Sequence, residues 1–241
     1  MNMQLVVMAG GRGTRLGPYT ATFPKPLVPI GDMPILELLL RQLKMAGVTE
    51  VILAVNHLHH LLRAFFGEGE RLGLQISYSL EDSPLGTAGP IGAVLPQLRD
   101  TFFVANGDLL TTLDFSAMLT EHSAAGADAT VASFRRTIKS EFGILETDEA
   151  MRLTGYREKP VQTHLVSMGL YLLRRDAVAP HLAAGGKLDM PDLMRALVAE
   201  GRHVLCYAPD CFWLDIGRPD DYAEAQQIFA RDRTLFLPDE Q

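Results

Sequence analysis

The stretch Ala9-Gly10-Gly11-Arg12-Gly13-Thr14-Arg15-Leu16-Gly17 gathers glycines and cations into one short segment, and Phe23-Pro24-Lys25-Pro26-Leu27 adds a lysine between two prolines. Glycine lets a backbone turn sharply and set its amide N–H groups against an anion. Arg15 and Lys25 bring two positive charges to the same segment. It is not a dinucleotide fingerprint, because Leu16 stands where a third glycine would fall, and it is not a P-loop, because no Gly-Lys-Ser/Thr follows. A glycine cluster alone is more often a plain turn. The two cations and the stiffening Pro-Lys-Pro turn the reading toward an anion site. A second cluster, His57-Leu58-His59-His60, invites a metal reading, since His57 and His60 share a face of a helix. No carboxylate or cysteine completes it nearby, so a structural or surface role is expected there.

These residues need elements to position them. Short apolar runs at 5–8, 51–55, 76–79 and 102–105 read as buried strands. Between them, Ile35, Leu36, Leu39, Leu40, Leu43 and Ala46 fall at helical spacing, 58–66 does likewise, and 88–98 fits a third helix with Pro90 in its first turn. This alternation predicts an α/β fold, a Rossmann-like three-layer sandwich with a mostly parallel central sheet. Ligands of such sheets bind at the carboxyl ends of the strands, which singles out the loops 10–29, 81–89 and 106–111. Farther on, 129–134, 144–146, 153–156 and 165–173 read as strands without intervening helices, predicting a small antiparallel annex. Helices return at 191–200 and 219–230, the latter with Pro219 at its favoured first position.

Composition narrows the class. The chain has 241 residues, 47% hydrophobic and 21% charged, which excludes a disordered protein and allows a full core. With 22 Lys+Arg against 29 Asp+Glu the net charge is −7, a poor balance for binding nucleic acid. Cys206 and Cys211 make neither a disulfide framework nor a zinc spacing. No targeting segment and no apolar run of the ~20 residues a membrane span needs is visible. A cytoplasmic protein without membrane or nucleic-acid partners is expected; a homodimer is left open.

Residues 8–29 resemble the signature of the sugar-1-phosphate nucleotidyltransferases, Gly-Gly-x-Gly-Thr-Arg-Leu followed by Pro-Lys-Pro-Leu. Further matches follow in the family's order: Leu85-Gly86-Thr87-Ala88-Gly89, Asn106-Gly107-Asp108, Phe142-Gly143, Glu158-Lys159-Pro160, Gly169-Leu170-Tyr171 and Trp213-Leu214-Asp215-Ile216-Gly217. The resemblance covers nearly the whole chain, and the Leu-Gly-Thr-Ala-Gly-Pro form is most similar to the mannose-1-phosphate guanylyltransferase branch. It implies a single nucleotidyltransferase domain over 1–241, with a nucleotide-binding part at about 1–130 and a sugar-phosphate-binding part at about 131–230. It implies transfer of a nucleotidyl group from a nucleoside triphosphate, GTP favoured, to a sugar-1-phosphate, with pyrophosphate leaving. A thymidylyl- or uridylyltransferase, and a non-catalytic subunit that senses the sugar nucleotide, are the alternatives. A glycosyltransferase, a third reading, would leave free nucleoside diphosphate.

The resemblance also assigns residues. Arg15 and Lys25 are the catalytic cations holding the triphosphate; Ala9, Gly10, Gly11, Gly13, Thr14, Gly86 and Thr87 lie against the nucleotide. Asp108 and Asp215 bind Mg²⁺, a hard cation content with few carboxylates plus phosphate oxygens. Asn106, Gly143, Glu158, Lys159 and Ser167 meet the sugar phosphate. Glu81 is placed as the base reader: an ionised carboxylate has only acceptors and matches the two adjacent donors of guanine. Plainer readings stand beside these: Asp108 as a turn former or N-cap, Asp215 capping the turn before Gly217, Glu158 and Lys159 as solvated charges, Glu81 capping its loop, Trp213 as core support. One departure is Ser167, where the family usually has Asn; one hydroxyl cannot reproduce an amide's donor and acceptor pair.

Overall fold

A computed structural model describes residues 3–238 apart from 12, 17–19, 21, 57, 82 and 184. The chain begins with β1 (Met3–Met8), the small pair β2 (Pro29–Ile30) and β3 (Met33–Pro34), and α1 (Ile35–Met45). It continues through β4 (Val48–Val55), α2 (His59–Phe66), β5 (Gln75–Leu80), α3 (Gly89–Val94), β6 (Thr101–Asn106), β7 (Leu109–Thr111) and α4 (Phe115–Ala125). The second half holds β8 (Ala129–Lys139), β9 (Ile144–Thr147), β10 (Leu153–Arg157), β11 (Val161–Arg174), α5 (Arg175–Leu182), α6 (Met190–Ala199), β12 (Val204–Tyr207), β13 (Trp213–Asp215) and α7 (Pro219–Phe236).

Seven strands form the central sheet in the order β12-β8-β11-β6-β1-β4-β5. β6, β1, β4 and β5 are parallel, β11 runs antiparallel to β6 and β8, and β12 joins β8 in parallel. The period of two along each strand sorts the core into two faces. Leu5, Val7, Phe103 and Ala105 pack with Leu36, Leu39 and Leu40 of α1, Leu62 of α2 and Phe115 of α4. Val6, Ile52, Phe102 and Val104 pack with Ile91 of α3, Val178 of α5 and Leu193 and Leu197 of α6. Each such fully buried side chain stabilises the fold by about 1.5–3 kcal/mol. The result is the expected three-layer α/β sandwich. α7 completes a third cluster, laying Phe229 and Phe236 against Ile30, Ile35 and Leu38.

The departures from sequence have local causes. The helix expected over 88–98 ends at Val94 and tightens into a 3-10 turn at Leu95–Gln97, because Pro96 has no N–H to continue it. The strands expected at 129–134 and 165–173 are longer, and the inner halves of β8 and β11 belong to the central sheet rather than to the annex. Only β9, β10 and the outer halves of β8 and β11 project: β12 pairs with 129–132 of β8 and β6 with 170–174 of β11, so 133–139 and 161–167 pair within the sheet only with each other. Sequence periodicity also passed over α4, whose Asp114 cap accepts from the Ala117 N–H at 2.9 Å, and α5, which carries Pro180 inside it. Among the described residues no helix is long and apolar enough to cross a membrane.

Candidate active site

The carboxyl ends of β6, β1, β4 and β5 share one edge of the sheet, so Asn106, Ala9 and Gly10, Asn56 and Glu81 emerge there side by side. β11 arrives at the same edge from the opposite direction, bringing Ser167 and Gly169 next to Asn106.

At the centre, the Lys25 ammonium donates to Asp108 Oδ2. Both side chains are mostly buried, and two local devices fix them. Pro24 and Pro26 bracket Lys25, and Gly107 lets Pro26 close on the Asp108 turn, since a Cβ there would lie 3.2 Å from Pro26 Cγ. Gly13, at φ +60, brings the glycine loop down onto Lys25, where a Cβ would lie 3.1 Å from Lys25 Cβ; the Thr20 hydroxyl donates to its carbonyl at 2.7 Å. Arg15 and Asp215 meet over Gly217: a Cβ at Gly217 would lie 3.4 Å from Asp215 Oδ2, 3.6 Å from Arg15 Nη1 and 3.6 Å from Asp221 Oδ2. Burial pushes the Asp215 carboxyl above the usual carboxylate range, the charge of Asp108 pushes the same way, and Lys25 and Arg15 oppose them.

Asp108 Oδ1 is buried with no hydrogen-bond partner among the described residues. An orphaned carboxylate oxygen beside a second carboxylate fits a divalent cation whose remaining positions go to phosphate oxygens and water, the mode Mg²⁺ prefers. Among the described residues no three His, Cys, Asp or Glu side chains are grouped to hold a metal. Of the histidine cluster, His59 Nδ1 bonds the Asn56 carbonyl at 3.2 Å, and His57 lies outside the described residues.

At the carboxyl end of β5, Glu81 stands against the glycine loop, so that a Cβ at Gly10 would lie 2.8 Å from Glu81 Oε1. Its Oε2 accepts the Leu85 N–H at 3.2 Å, and burial raises its pKa. Apart from its chain neighbours, no atom of the described residues lies within 4 Å of where a Gly11 side chain would begin. The side chain of Thr14 lies outside the described residues.

On the other side is a cavity of about 320 Å³ lined by Met8, Thr87, Asn106, Ser167, Tyr171, Met190, Trp213 and Asp215, among others. A register shift in β11 between Ser167 and Tyr171 turns Gly169 to φ +75, and a Cβ there would lie 2.4 Å from Asn106 Nδ2. Asn106 and Gly169 are thus in direct contact. Ser167 Oγ is engaged by the Tyr171 hydroxyl at 2.9 Å and by the Gly169 N–H at 3.2 Å. Trp213 packs on Phe134, as core support would, yet it also lines the cavity, and its buried Nε1–H has no partner among the described residues.

Gly143, Glu158 and Lys159 form a group of their own on the projecting lobe and do not line the cavity. The Tyr156 hydroxyl donates to Glu158 Oε2 at 3.2 Å, and a Cβ at Gly143 would lie 2.4 Å from that hydroxyl. Lys159 sits at φ +41, a conformation a lysine seldom adopts. The sequence reading missed Asp221 and Tyr171 at the site. Asp221 reads as an ordinary first-turn acid of α7, and Tyr171 as one member of the Gly169-Leu170-Tyr171 motif.

A sheet edge that gathers a glycine loop, two cations, two carboxylates and a cavity is the signature of an enzyme acting on phosphates. Residues 4–232 match the family described as Nucleotidyl transferase, and the chain belongs to it. It is 35% identical over 231 residues to the mannose-1-phosphate guanylyltransferase of Mycobacterium tuberculosis, a match spanning 94% of this chain and 64% of that protein. It is 33% identical over 222 residues to the D-glycero-alpha-D-manno-heptose 1-phosphate guanylyltransferase of Campylobacter jejuni, spanning 91% of this chain and 97% of that one. The chain therefore spans less than two thirds of the first relative and nearly all of the second. Its fold is shared with a UDP-glucose pyrophosphorylase solved with UDP-glucose, at a TM-score of 0.74 and 19% identity, covering 97% of this chain and 100% of that one.

Proposed function

We propose that this chain transfers a nucleotidyl group from a nucleoside triphosphate, GTP in preference, to a sugar-1-phosphate. The observation that carries this reading is the meeting of Lys25–Asp108 with Arg15–Asp215 at one sheet edge, between the Glu81 loop and the cavity. A phosphate oxygen of the sugar-1-phosphate attacks the α-phosphorus, the bond to the β-phosphate oxygen breaks, and pyrophosphate departs in line. The attacking group is already ionised near neutral pH, so no general base is required. The protein must instead align two anions and neutralise their repulsion.

Arg15 and Lys25 hold the triphosphate, with the backbone of Ala9, Gly10, Gly11, Gly13 and Thr14 against the nucleotide and Gly86 and Thr87 beside it. Asp108 and Asp215 hold Mg²⁺; when bound there the cation supplies positive charge against the phosphate oxygens. Asn106 and Ser167 meet the sugar at the cavity, and Gly143, Glu158 and Lys159 approach the sugar phosphate from the projecting lobe. The nucleotide is handled by residues up to about 130 and the sugar phosphate mainly by those beyond.

The choice of GTP rests on Glu81. Its free lone pairs are acceptors only, suited to the ring N–H and amino group of guanine and repelled by the carbonyls that flank the single donor of uracil or thymine. Two guanylyltransferases among the relatives support it. The test is pyrophosphate release with GTP, dTTP, UTP and ATP, each against a panel of sugar-1-phosphates, for the parent and Glu81→Gln. GTP should lead, and the variant should lose about tenfold to a hundredfold of that preference. Release of free nucleoside diphosphate in place of pyrophosphate would refute the reaction. A parent that prefers UTP or dTTP would refute the role of Glu81 alone.

A further inference from the structure

Asp189 stands at the N-cap of α6, where an aspartate ordinarily accepts a hydrogen bond from an N–H of its own first turn. It does not do so here. Its Oδ1 instead accepts the Thr87 N–H at 3.0 Å and the Thr87 hydroxyl at 3.4 Å, 102 residues away in sequence. The Thr87 hydroxyl in turn accepts the Met190 N–H at 2.8 Å, the first N–H of α6. Two chain segments thus exchange caps: the threonine serves the helix that the aspartate begins, and the aspartate serves the loop that carries the threonine.

Backbone bonds close the same seam. The Leu188 carbonyl accepts from Ala88 N–H at 2.9 Å and Gly89 N–H at 3.0 Å, and the Leu188 N–H donates to the Leu85 carbonyl at 2.9 Å. The approach leaves no room for side chains. A Cβ at Gly86 would lie 2.6 Å from Asp189 Oδ1 and 2.6 Å from the Leu188 carbonyl oxygen, and a Cβ at Gly89 would lie 2.5 Å from the Gly186 carbonyl oxygen. The glycines of the Leu-Gly-Thr-Ala-Gly segment are therefore required by this seam, whatever else they do.

What the seam holds is the site. Leu85 at one end donates its N–H to Glu81, which lies over Gly10, while Thr87 and Met190 at the other end line the cavity. We infer that Asp189 is a positioning residue: it fixes the 85–89 loop so that Glu81 and the cavity wall are both in place when the nucleotide arrives. This rests on the nucleotidyltransferase reading and extends it to a residue with no place in that reading.

The bonds use Asp189 as an acceptor at a single oxygen, which an amide oxygen reproduces. Asp189→Asn should therefore keep close to parental kinetics, whereas Asp189→Ala should raise KM for the nucleoside triphosphate about tenfold, the worth of a lost hydrogen bond, with kcat little changed. Selectivity among the four triphosphates should narrow in the alanine variant, and Thr87→Ala in its background should add less than it does alone. Thermal unfolding of both variants checks that each is folded. An alanine variant with parental KM, an asparagine variant as impaired as the alanine one, or strict additivity with Thr87→Ala would overturn the inference. So would an alanine variant that loses kcat and stability together, which marks a merely structural residue. Measurement uses whichever triphosphate the parent prefers, so a failed assignment of Glu81 leaves this test standing.

Discussion

Replacing Lys25 with alanine should disable the enzyme in a way that separates its functions. The ammonium side chain is 11% exposed and its partner Asp108 17% exposed, so the pair is largely removed from water. Deleting one member of a fully buried pair costs about 3–5 kcal/mol; the remaining exposure of this one lowers the expected loss of folding stability to about 1–3 kcal/mol. Turnover should suffer more, because a preorganised charge aimed at a transition state is worth roughly 3 kcal/mol, or on the order of a hundredfold in kcat. A third effect follows from Asp215. Burial and the neighbouring Asp108 already hold its carboxyl above the usual range, and Lys25 is one of two cations that oppose them. Without Lys25 the Asp215 pKa rises further in the metal-free protein, so protons compete with Mg²⁺ for the carboxylate at a higher pH and the acid limb of the rate profile moves to higher pH. Pyrophosphate release across the pH range, with thermal unfolding alongside, reads all three. A kcat close to the parent's would remove Lys25 from the catalytic machinery. A fallen kcat with an unmoved acid limb would refute the coupling to Asp215.

Other perturbations probe the remaining parts. Asp108→Asn and Asp215→Asn should each raise the Mg²⁺ concentration for half-maximal rate by about tenfold, following the loss of a hard anionic ligand; a parental titration would make both aspartates structural. Gly169→Ala combines a left-handed φ with a contact of 2.4 Å on Asn106, so it should destabilise the fold by about 1–3 kcal/mol and raise KM for the sugar-1-phosphate; an unchanged Tm would sink that argument. His122 is buried and bonded to Thr130 Oγ1 at 2.8 Å; burial, with Arg174 and His203 and against Asp128, lowers its pKa from 6.5. Below pH 6.5 the unfolded chain takes up a proton that the folded one refuses, so stability is full above that pH and falls as pH drops toward the folded value. Denaturant unfolding of His122→Gln should show a flatter decline, and an equal slope in both proteins would refute the role.

The first half of the fold was legible because its signals are local. Val51 to Val55 is a short apolar run rich in β-branched residues that reads as a buried strand, and Leu36, Leu39, Leu40 and Leu43 mark one helix face; the structure places both as expected. The glycine loop and Lys25 stand out by residue type and spacing, whereas Asp108 and Asp215 enter through the family resemblance and read alone as turn formers; the structure brings Lys25 and Asp108 together. α4 escaped because its apolar residues are spread around the helix rather than kept to one face, and its buried His122 reads as polar. α5 escaped because Pro180 argues against a helix it nevertheless occupies. The exchange between Thr87 and Asp189 could not be read at all: neither residue is unusual in its own segment, and only the tertiary fold makes them neighbours.

The outer halves of β8 and β11 deserve a kinetic reading. Beyond β6 and β12 they pair within the sheet only with one another, and the side chains of 135–139 and 161–165 are exposed. Few apolar contacts hold that ribbon, so it opens locally at a free energy well below that of global unfolding, and its amides exchange with solvent ahead of those in β1, β4 and β6. Gly143, Glu158 and Lys159 ride on this lobe while Asp108 and Asp215 stay anchored to the core side of the site. On the proposed reading the acceptor side of the site therefore rides on the compliant ribbon and the nucleotide side on the core, and hydrogen exchange should run faster at 161–165 than at 102–105.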